Sequence, residues 1–203
     1  MLFRSKRGRP QVKKESPVMI EKTKRALFLD RDGTINVDPG YLSKPDLLEL
    51  LPGAAEAIRK ARDHGFFIAV ISNQSGVARG LISPEALSDI HRRLNELLQE
   101  RAGAWIDHFA CCTHHPSDGC DCRKPLPRLV LDTQAMFGLD LSRSAFIGDR
   151  LTDIRTGRAA PVRYSVLVRT GQGQDEEKKL TPKDRVDFIA ENLFEAVNWV
   201  LTN

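Results

Sequence analysis

A doubly wound α/β fold, one parallel sheet with helices on both faces, is predicted by three observations. Short apolar runs alternate along the 203-residue chain with stretches of helical periodicity. Three of those runs end on an acid or a hydroxyl, at Asp30, Ser72 and Asp149. The composition, 41% apolar and 29% charged, suits a chain that buries its own core without disulfide staples. In such sheets ligands bind beyond the carboxyl ends of the strands, where those three residues fall.

Residues 1–24 read as a basic, disordered tail, and the domain is expected over 25–201. Residues 1–25 hold nine Lys or Arg against Glu15 and Glu21, a balance of +7 that leaves −3 on the remainder. The high charge therefore belongs to the tail, and the body shows no basic face of the kind that binds nucleic acid. No run approaches the roughly 20 apolar residues of a membrane span. The first ten residues carry four basic groups and no apolar stretch, unlike a secretory signal peptide. A cytoplasmic monomer acting on a small molecule is the expectation.

The first strand is expected at residues 25–30, an apolar run closed by Asp30. Pro52 and Gly53 open a helix to about His64, with Gly65 after it. Residues 66–71 give a second strand, followed by the turn-rich Ser72-Asn73-Gln74-Ser75-Gly76. Ser83-Pro84-Glu85 is a helix start: N-cap, Pro at the first position, acid in the first turn. Leu87, Ile90, Leu94, Leu97 and Leu98 supply that helix's apolar stripe. A third strand is expected at 105–110, a helix at 127–137 ending at Gly138, and a fourth strand at 144–147. A helix at 152–160, a strand at 164–168, a short strand at 186–189 and a helix at 191–201 complete the chain.

Asp30-Arg31-Asp32-Gly33-Thr34 places two carboxylates directly after a buried strand. On an extended backbone the two point the same way, one as nucleophile or metal ligand, the other as general acid. Asp149 and Asp153 form a second acidic pair. Carboxylates gathered at one sheet edge repel unless a cation sits among them, and oxygen ligands suit Mg²⁺. All four cysteines lie between Cys111 and Cys122. Cys112, His114, Cys120 and Cys122 offer a closed Cys₃His zinc site, structural because little else holds that loop. Cys111 is expected to pack as a small hydrophobe, and His115 to be a polar loop residue.

In order, Asp30-x-Asp32-Gly-Thr, Ser72, Lys124 and Gly148-Asp149-x3-Asp153 resemble the haloacid-dehalogenase phosphohydrolase superfamily, from Leu27 to Asp153. The resemblance implies a HAD-like domain with a minimal cap. It implies that Asp30 takes the phosphoryl group, that Asp32 is the general acid and base, and that Ser72 and Lys124 bind the phosphoryl oxygens. It implies Mg²⁺ on Asp30, the Asp32 carbonyl and Asp149, with Asp153 orienting Lys124 or a metal water. Cys112-Thr-His-His-Pro…Cys120-x-Cys122-Arg-Lys-Pro is more specific. It resembles the heptose bisphosphate phosphatases and also the histidinol-phosphate phosphatases. Asn73-Gln-Ser-Gly-Val-Ala-Arg-Gly80, Asp30 to Tyr41, and Val166-Leu-Val-Arg-Thr-Gly171 look like the heptose branch. Substrate contacts are implied at Asp38, Tyr41, Ser72, Asn73, Gln74, Ser75, Arg123, Lys124 and Arg150. Arg79, Arg123 and Arg150 are surplus cations suited to a second phosphate. The expected activity is Mg²⁺-dependent removal of the 7-phosphate of a heptose 1,7-bisphosphate, on the route to nucleotide-activated heptose. Histidinol-phosphate hydrolysis is the alternative on the same scaffold. A catalytically dead zinc-loop interaction module is the alternative from another class.

Overall fold

The computed structural model describes residues 24–203. The basic tail expected at 1–24 lies outside the described residues except for Lys24, which bridges to Leu139. Six strands form one sheet in the order β3-β2-β1-β4-β5-β6, every pair parallel. They are β1 (Ala26–Leu29), β2 (Phe67–Asn73), β3 (His108–Cys112), β4 (Ala145–Gly148), β5 (Tyr164–Val168) and β6 (Phe188–Ala190). The helices are α1 (Ala54–Asp63), α2 (Pro84–Ala102), α3 (Arg128–Phe137), α4 (Leu151–Ala159), α5 (Gly173–Glu177) and α6 (Leu193–Thr202).

Alternation along each strand sorts the core into two layers. Leu27, Leu29, Ile68, Val70, Ala145, Ile147, Val166 and Val168 face one side and pack with α1, α2 and α6. Ala26, Phe28, Ala69, Ile71 and Phe146 face the other, against Val130 of α3, Leu139, Ala160 and Val162. Helices on both faces leave the sheet's carboxyl edge as the open place for a ligand. The winding reverses between β1 and β4, so the crevice beyond their carboxyl ends is the topological switch point. Phe146 is fully buried, stacks with Phe28 at 6.4 Å and lies 5.8 Å under the Lys124 ammonium. Truncating it to Ala would cost about 3–5 kcal/mol and loosen the floor beneath Lys124.

The helix ends follow the sequence signals. Ser83 Oγ accepts from Ala86 N at 3.1 Å, and Gly103 at φ 62° ends α2. Asn192 caps α6 in the same way, at 3.0 Å from Glu195 N. The third strand sits three residues later than the periodicity suggests. Asp107 accepts from Ile68 N at 2.8 Å, the Arg62 guanidinium at 2.6 Å and the Trp105 indole at 3.1 Å. Arg62 also lies 3.4 Å over the Trp105 ring. This polar knot keeps residues 105–107 outside the strand, which instead runs on to Cys112. Helix α5 has no counterpart among the sequence expectations. It begins in a glycine-flanked loop and lacks an apolar stripe.

Candidate active site

Asp30 extends the β1–β4 ladder by donating its N–H to Ile147 O at 3.0 Å. Its Oδ1 accepts from Arg31 N at 2.8 Å and faces Lys124 Nζ at 2.9 Å. The chain then turns, with Thr34, Ile35 and Asn36 all donating N–H to Arg31 O. Asp32 lies on that turn. Its Oδ1 accepts from Arg31 Nε at 3.0 Å and Asn36 Nδ2 at 2.9 Å; its Oδ2 accepts from Arg31 Nη2 at 2.7 Å and Gln74 Nε2 at 2.9 Å. Burial works against the Asp32 charge, but the Arg31 guanidinium and these donors outweigh it and hold the carboxyl below its ordinary range.

Asp149 follows β4. Burial, then the charges of Asp30 and Asp153, push its carboxyl up to about 8. Its Oδ2 accepts from Gln172 N at 2.8 Å, while its Oδ1 is buried and has no hydrogen-bond partner among the described residues. Asp153 lies 2.6 Å from Lys124 Nζ and accepts from Arg150 N at 3.0 Å. Burial and the charge of Asp30 push it up to about 6, against the pull of Lys124. Burial alone would lower Lys124; Asp153 and Asp30 outweigh it and hold the ammonium above its ordinary range. Oxygens of Asp30, Asp149 and Asp153 lie within 4.8 Å of one another. Two of these three buried carboxylates, Asp30 and Asp153, share the Lys124 ammonium, and the orphaned Asp149 oxygen is the kind of donor a divalent cation takes.

Sequence reasoning missed what holds Asp149. A Cβ on Gly33 or on Gly171 would stand 2.3 Å from Asp149 Oδ2, and both glycines have positive φ. Thr170 Oγ1 ties the two loops together by donating to Gly33 O at 2.7 Å. The signal was the Gly171-x-Gly173 pair directly after a strand.

Ser72, Asn73 and Gln74 end β2. The Asn73 amide grips the Lys124 backbone from both sides, accepting from its N–H at 3.1 Å and donating to its carbonyl at 3.3 Å. Lys124 Nζ also donates to Ile71 O at 2.8 Å. Gln74 donates to Ser72 Oγ and to Asp32. The amides of Asn73 and Gln74, expected to meet substrate, are thus engaged within the protein.

A cleft of 570 Å³ opens over these groups. Asp30, Asp32, Asp38, Tyr41, residues 72–75, Arg123, Lys124 and Arg150 all line it, with Thr152 and Glu176 beside them. Arg150 pairs with Asp38 at 3.2 Å, and Arg123 Nη1 is buried without a hydrogen-bond partner among the described residues. Arg79 is exposed and stands outside the lining. A second cleft of 370 Å³, between residues 48–53 and α2, carries only scattered Glu49, Glu56 and Arg101 as charged groups.

The sulfur loop hangs from the end of β3. Cys112 Sγ lies 3.6 Å from Cys120 Sγ and 3.7 Å from His114 Nδ1; Cys122 Sγ lies 3.7 Å from Cys120 Sγ and 3.3 Å from His114 Nδ1. A zinc tetrahedron with ordinary bond lengths has edges of roughly 3.5–3.8 Å, so the four ligands fit that ion. Cys111 stands apart, its thiol pushed up to about 12 by burial and lying 3.8 Å from His91 Nε2. His115 pairs with Ser117 Oγ at 2.7 Å instead. No helix among the described residues is long and apolar enough to cross a membrane.

The pattern of the HAD-hydrolase-like family matches residues 121–196. The chain is 39% identical over 189 residues to the D-glycero-D-manno-heptose-1,7-bisphosphate 7-phosphatase of Thermosynechococcus vestitus, covering 88% of this chain and 96% of that one. It is 37% identical to the D-glycero-beta-D-manno-heptose-1,7-bisphosphate 7-phosphatase of Escherichia coli K12, covering 88% of each chain. Among solved structures, the D,D-heptose 1,7-bisphosphate phosphatase of B. bronchiseptica, complexed with magnesium and phosphate, superposes with a TM-score of 0.79 at 32% identity, covering 88% of this chain and 98% of that one.

Proposed function

Because this chain belongs to the D-glycero-D-manno-heptose-1,7-bisphosphate 7-phosphatase family of HAD-like hydrolases, we propose that it removes the 7-phosphate of a heptose 1,7-bisphosphate through an aspartyl phosphate. The observation that carries the chemistry is the set of three buried carboxylates at the switch point, two of them paired with Lys124. Asp30 is the nucleophile: Lys124 and Arg31 N fix Oδ1, which orients the other oxygen for attack on phosphorus. Asp32, held below its ordinary range in the free enzyme by Arg31, Asn36 and Gln74, would take up the proton that a monoanionic phosphomonoester brings and give it to the leaving alkoxide as the P–O bond to the sugar breaks. Asp32 then takes a proton from water, which attacks the aspartyl phosphate, restores Asp30 and releases inorganic phosphate. Ser72 O–H and Lys124 N–H meet the phosphoryl oxygens, where charge neutralisation carries most of the catalysis.

Asp30, the Asp32 carbonyl and Asp149 would hold Mg²⁺, which when bound neutralises phosphoryl charge. The orphaned Asp149 Oδ1 and the excess of carboxylates fit that ion. Cys112, His114, Cys120 and Cys122 would hold zinc, and Arg123-Lys124 leaves that loop within two residues of Cys122. Zinc would therefore fix the arm that carries Lys124. The rim cations Arg123 and Arg150 suit the second phosphate of a bisphosphate, and they would repel the amine of histidinol phosphate. Kinetics on purified enzyme with Mg²⁺ test this directly. Heptose 1,7-bisphosphate is expected to exceed histidinol phosphate in kcat/KM by at least ~10²-fold; equal efficiencies would move the chain to the histidinol branch. No turnover of any phosphomonoester would leave only an interaction module.

A further inference from the structure

Gln74 sits at the centre of the site, 5% exposed, with its backbone pinned by a 2.7 Å hydrogen bond from its N–H to Cys112 O. Both N–H bonds of its amide find acceptors: Ser72 Oγ at 2.9 Å and Asp32 Oδ2 at 2.9 Å. A hydroxyl has one proton. Ser72 Oγ accepts from Gln74, and among the described residues nothing accepts the Ser72 proton, which is left for the cleft. Asp32 is held by Arg31, Asn36 and Gln74. Arg31 and Asn36 are fully buried. Gln74 is the donor that also touches the hydroxyl assigned to the phosphoryl group.

We propose that Gln74 is a positioning residue: its amide aims the Ser72 proton at the phosphoryl oxygen and holds the Asp32 carboxylate in register with it. The proposal rests on the roles given to Ser72 and Asp32 above. The identity of the side chain matters through its donors. A carboxylate of the same shape would accept the Ser72 proton, turning it away from the phosphoryl group, and would face Asp32 with like charge. An apolar side chain of similar length would leave both partners in place but unaimed.

A double-mutant cycle on the Mg²⁺-loaded enzyme tests this, using p-nitrophenyl phosphate and the sugar bisphosphate as substrates and orthovanadate as inhibitor. Gln74→Met is expected to lower kcat by about 10–100-fold on both substrates, with KM changed less than about threefold and vanadate inhibition weakened in parallel. Ser72→Ala alone is expected to cost about 10²–10³-fold. In the Ser72→Ala background Gln74→Met is expected to cost several-fold less than it does in the parent, because the proton it aims is gone and only its hold on Asp32 is left to lose. Gln74→Glu, which keeps the shape, is expected to be worse than Gln74→Met, and it carries the test if the Met variant does not fold. Additive losses would overturn the coupling. So would a defect confined to KM for the bisphosphate, which makes Gln74 a substrate contact. An active Ser72→Ala enzyme would remove the role of Ser72 itself, and that failure is visible in the single variant.

Discussion

Two polyvalent clusters stand side by side in this molecule and are built in opposite ways. The carboxylate cluster draws Asp30 from the end of β1, Asp149 from the end of β4 and Asp153 from α4; the last two lie four residues apart, and the sheet brings Asp30 to them. The sulfur cluster takes its ligands from residues 112–122, with a single strand end as its anchor. The sheet enforces the first, and burial, with the neighbouring carboxylates adding to it, shows as carboxyls raised to about 8 and about 6. The second has no sheet to enforce it and would depend on a bound ion. They meet at Lys124, ion-paired to the first cluster and two residues from the last ligand of the second. The rigid part positions the charges, and the loop delivers the counter-charge.

The hardest way to break the sheet-built cluster is Asp30→Asn. Turnover is expected to fall by more than ~10³-fold, because a carboxamide is not a nucleophile at this centre. The fold should survive, since the change removes one of three mutually repelling charges. Steady-state kinetics together with a thermal melt checks both halves, and a few per cent of residual turnover would remove the covalent role of Asp30.

The loop-built cluster should fail differently. Cys122→Ser, or chelation of the zinc, is expected to cost about 10²-fold in kcat while the far-ultraviolet circular dichroism of the sheet changes little. Elemental analysis should find one zinc per chain in the parent protein and none in the variant. Cys111→Ser should leave the zinc content unchanged, because its sulfur lies outside the cluster and faces His91. Full activity in zinc-free protein would break the link between loop and Lys124.

The two clusters were not equally legible. The sulfur cluster is a spacing, Cys-x-His and Cys-x-Cys in one short loop, and spacing is local information. Asp30 and Asp149 were legible because each follows an apolar run, and parallel sheets collect strand ends at one edge; Asp153 was legible from its spacing after Asp149. What escaped was the packing around them. That Gly33 and Gly171 both lie against Asp149 Oδ2 depends on β1 and β5 flanking β4, a tertiary fact no window of sequence holds. Likewise β3 looked three residues too early, because Trp105 reads as strand until Arg62 and Asp107 are seen to occupy it. Asn73 and Gln74, expected to meet substrate, line the cleft, and no window of sequence shows that their amides also hold Lys124 and the Ser72–Asp32 pair.

Gly171→Ala sharpens the comparison by disturbing one carboxylate while leaving the sulfur loop alone. Its Cβ would stand 2.3 Å from Asp149 Oδ2 at a backbone φ of +56°. The Mg²⁺ concentration needed for half-maximal activity is expected to rise about 10–100-fold, as when a supporting partner of a metal ligand is lost. Zinc content should stay at one per chain. A variant with unchanged Mg²⁺ dependence would mean that the loop yields and Asp149 is not held by it.

The mildest test concerns His91 of α2, packed on β3, which should alter acid stability without altering turnover near neutral pH. Its ring stacks on Phe109 at 4.2 Å and 10°, and Cys111 Sγ lies 3.8 Å away. Burial, then the charge of Arg31, depress its pKa to about 4, with Asp32 pulling weakly the other way. An imidazole whose folded pKa lies below its unfolded value of about 6.5 binds fewer protons when folded. Its contribution is therefore fully present above that unfolded value and is lost as pH falls from about 6.5 through about 4. At one unit per 1.36 kcal/mol and with partial exposure discounted, the loss is about 2–3 kcal/mol. His91→Phe keeps a flat ring on Phe109 and removes the titration. Denaturant melts of parent and variant at pH 7.5 and pH 5 decide it: the parent should lose more stability than the variant over that interval. Equal losses would mean that His91 takes up its proton in the folded chain as readily as in the unfolded one. That outcome removes it as an acid-sensitive contact against Phe109 and Cys111.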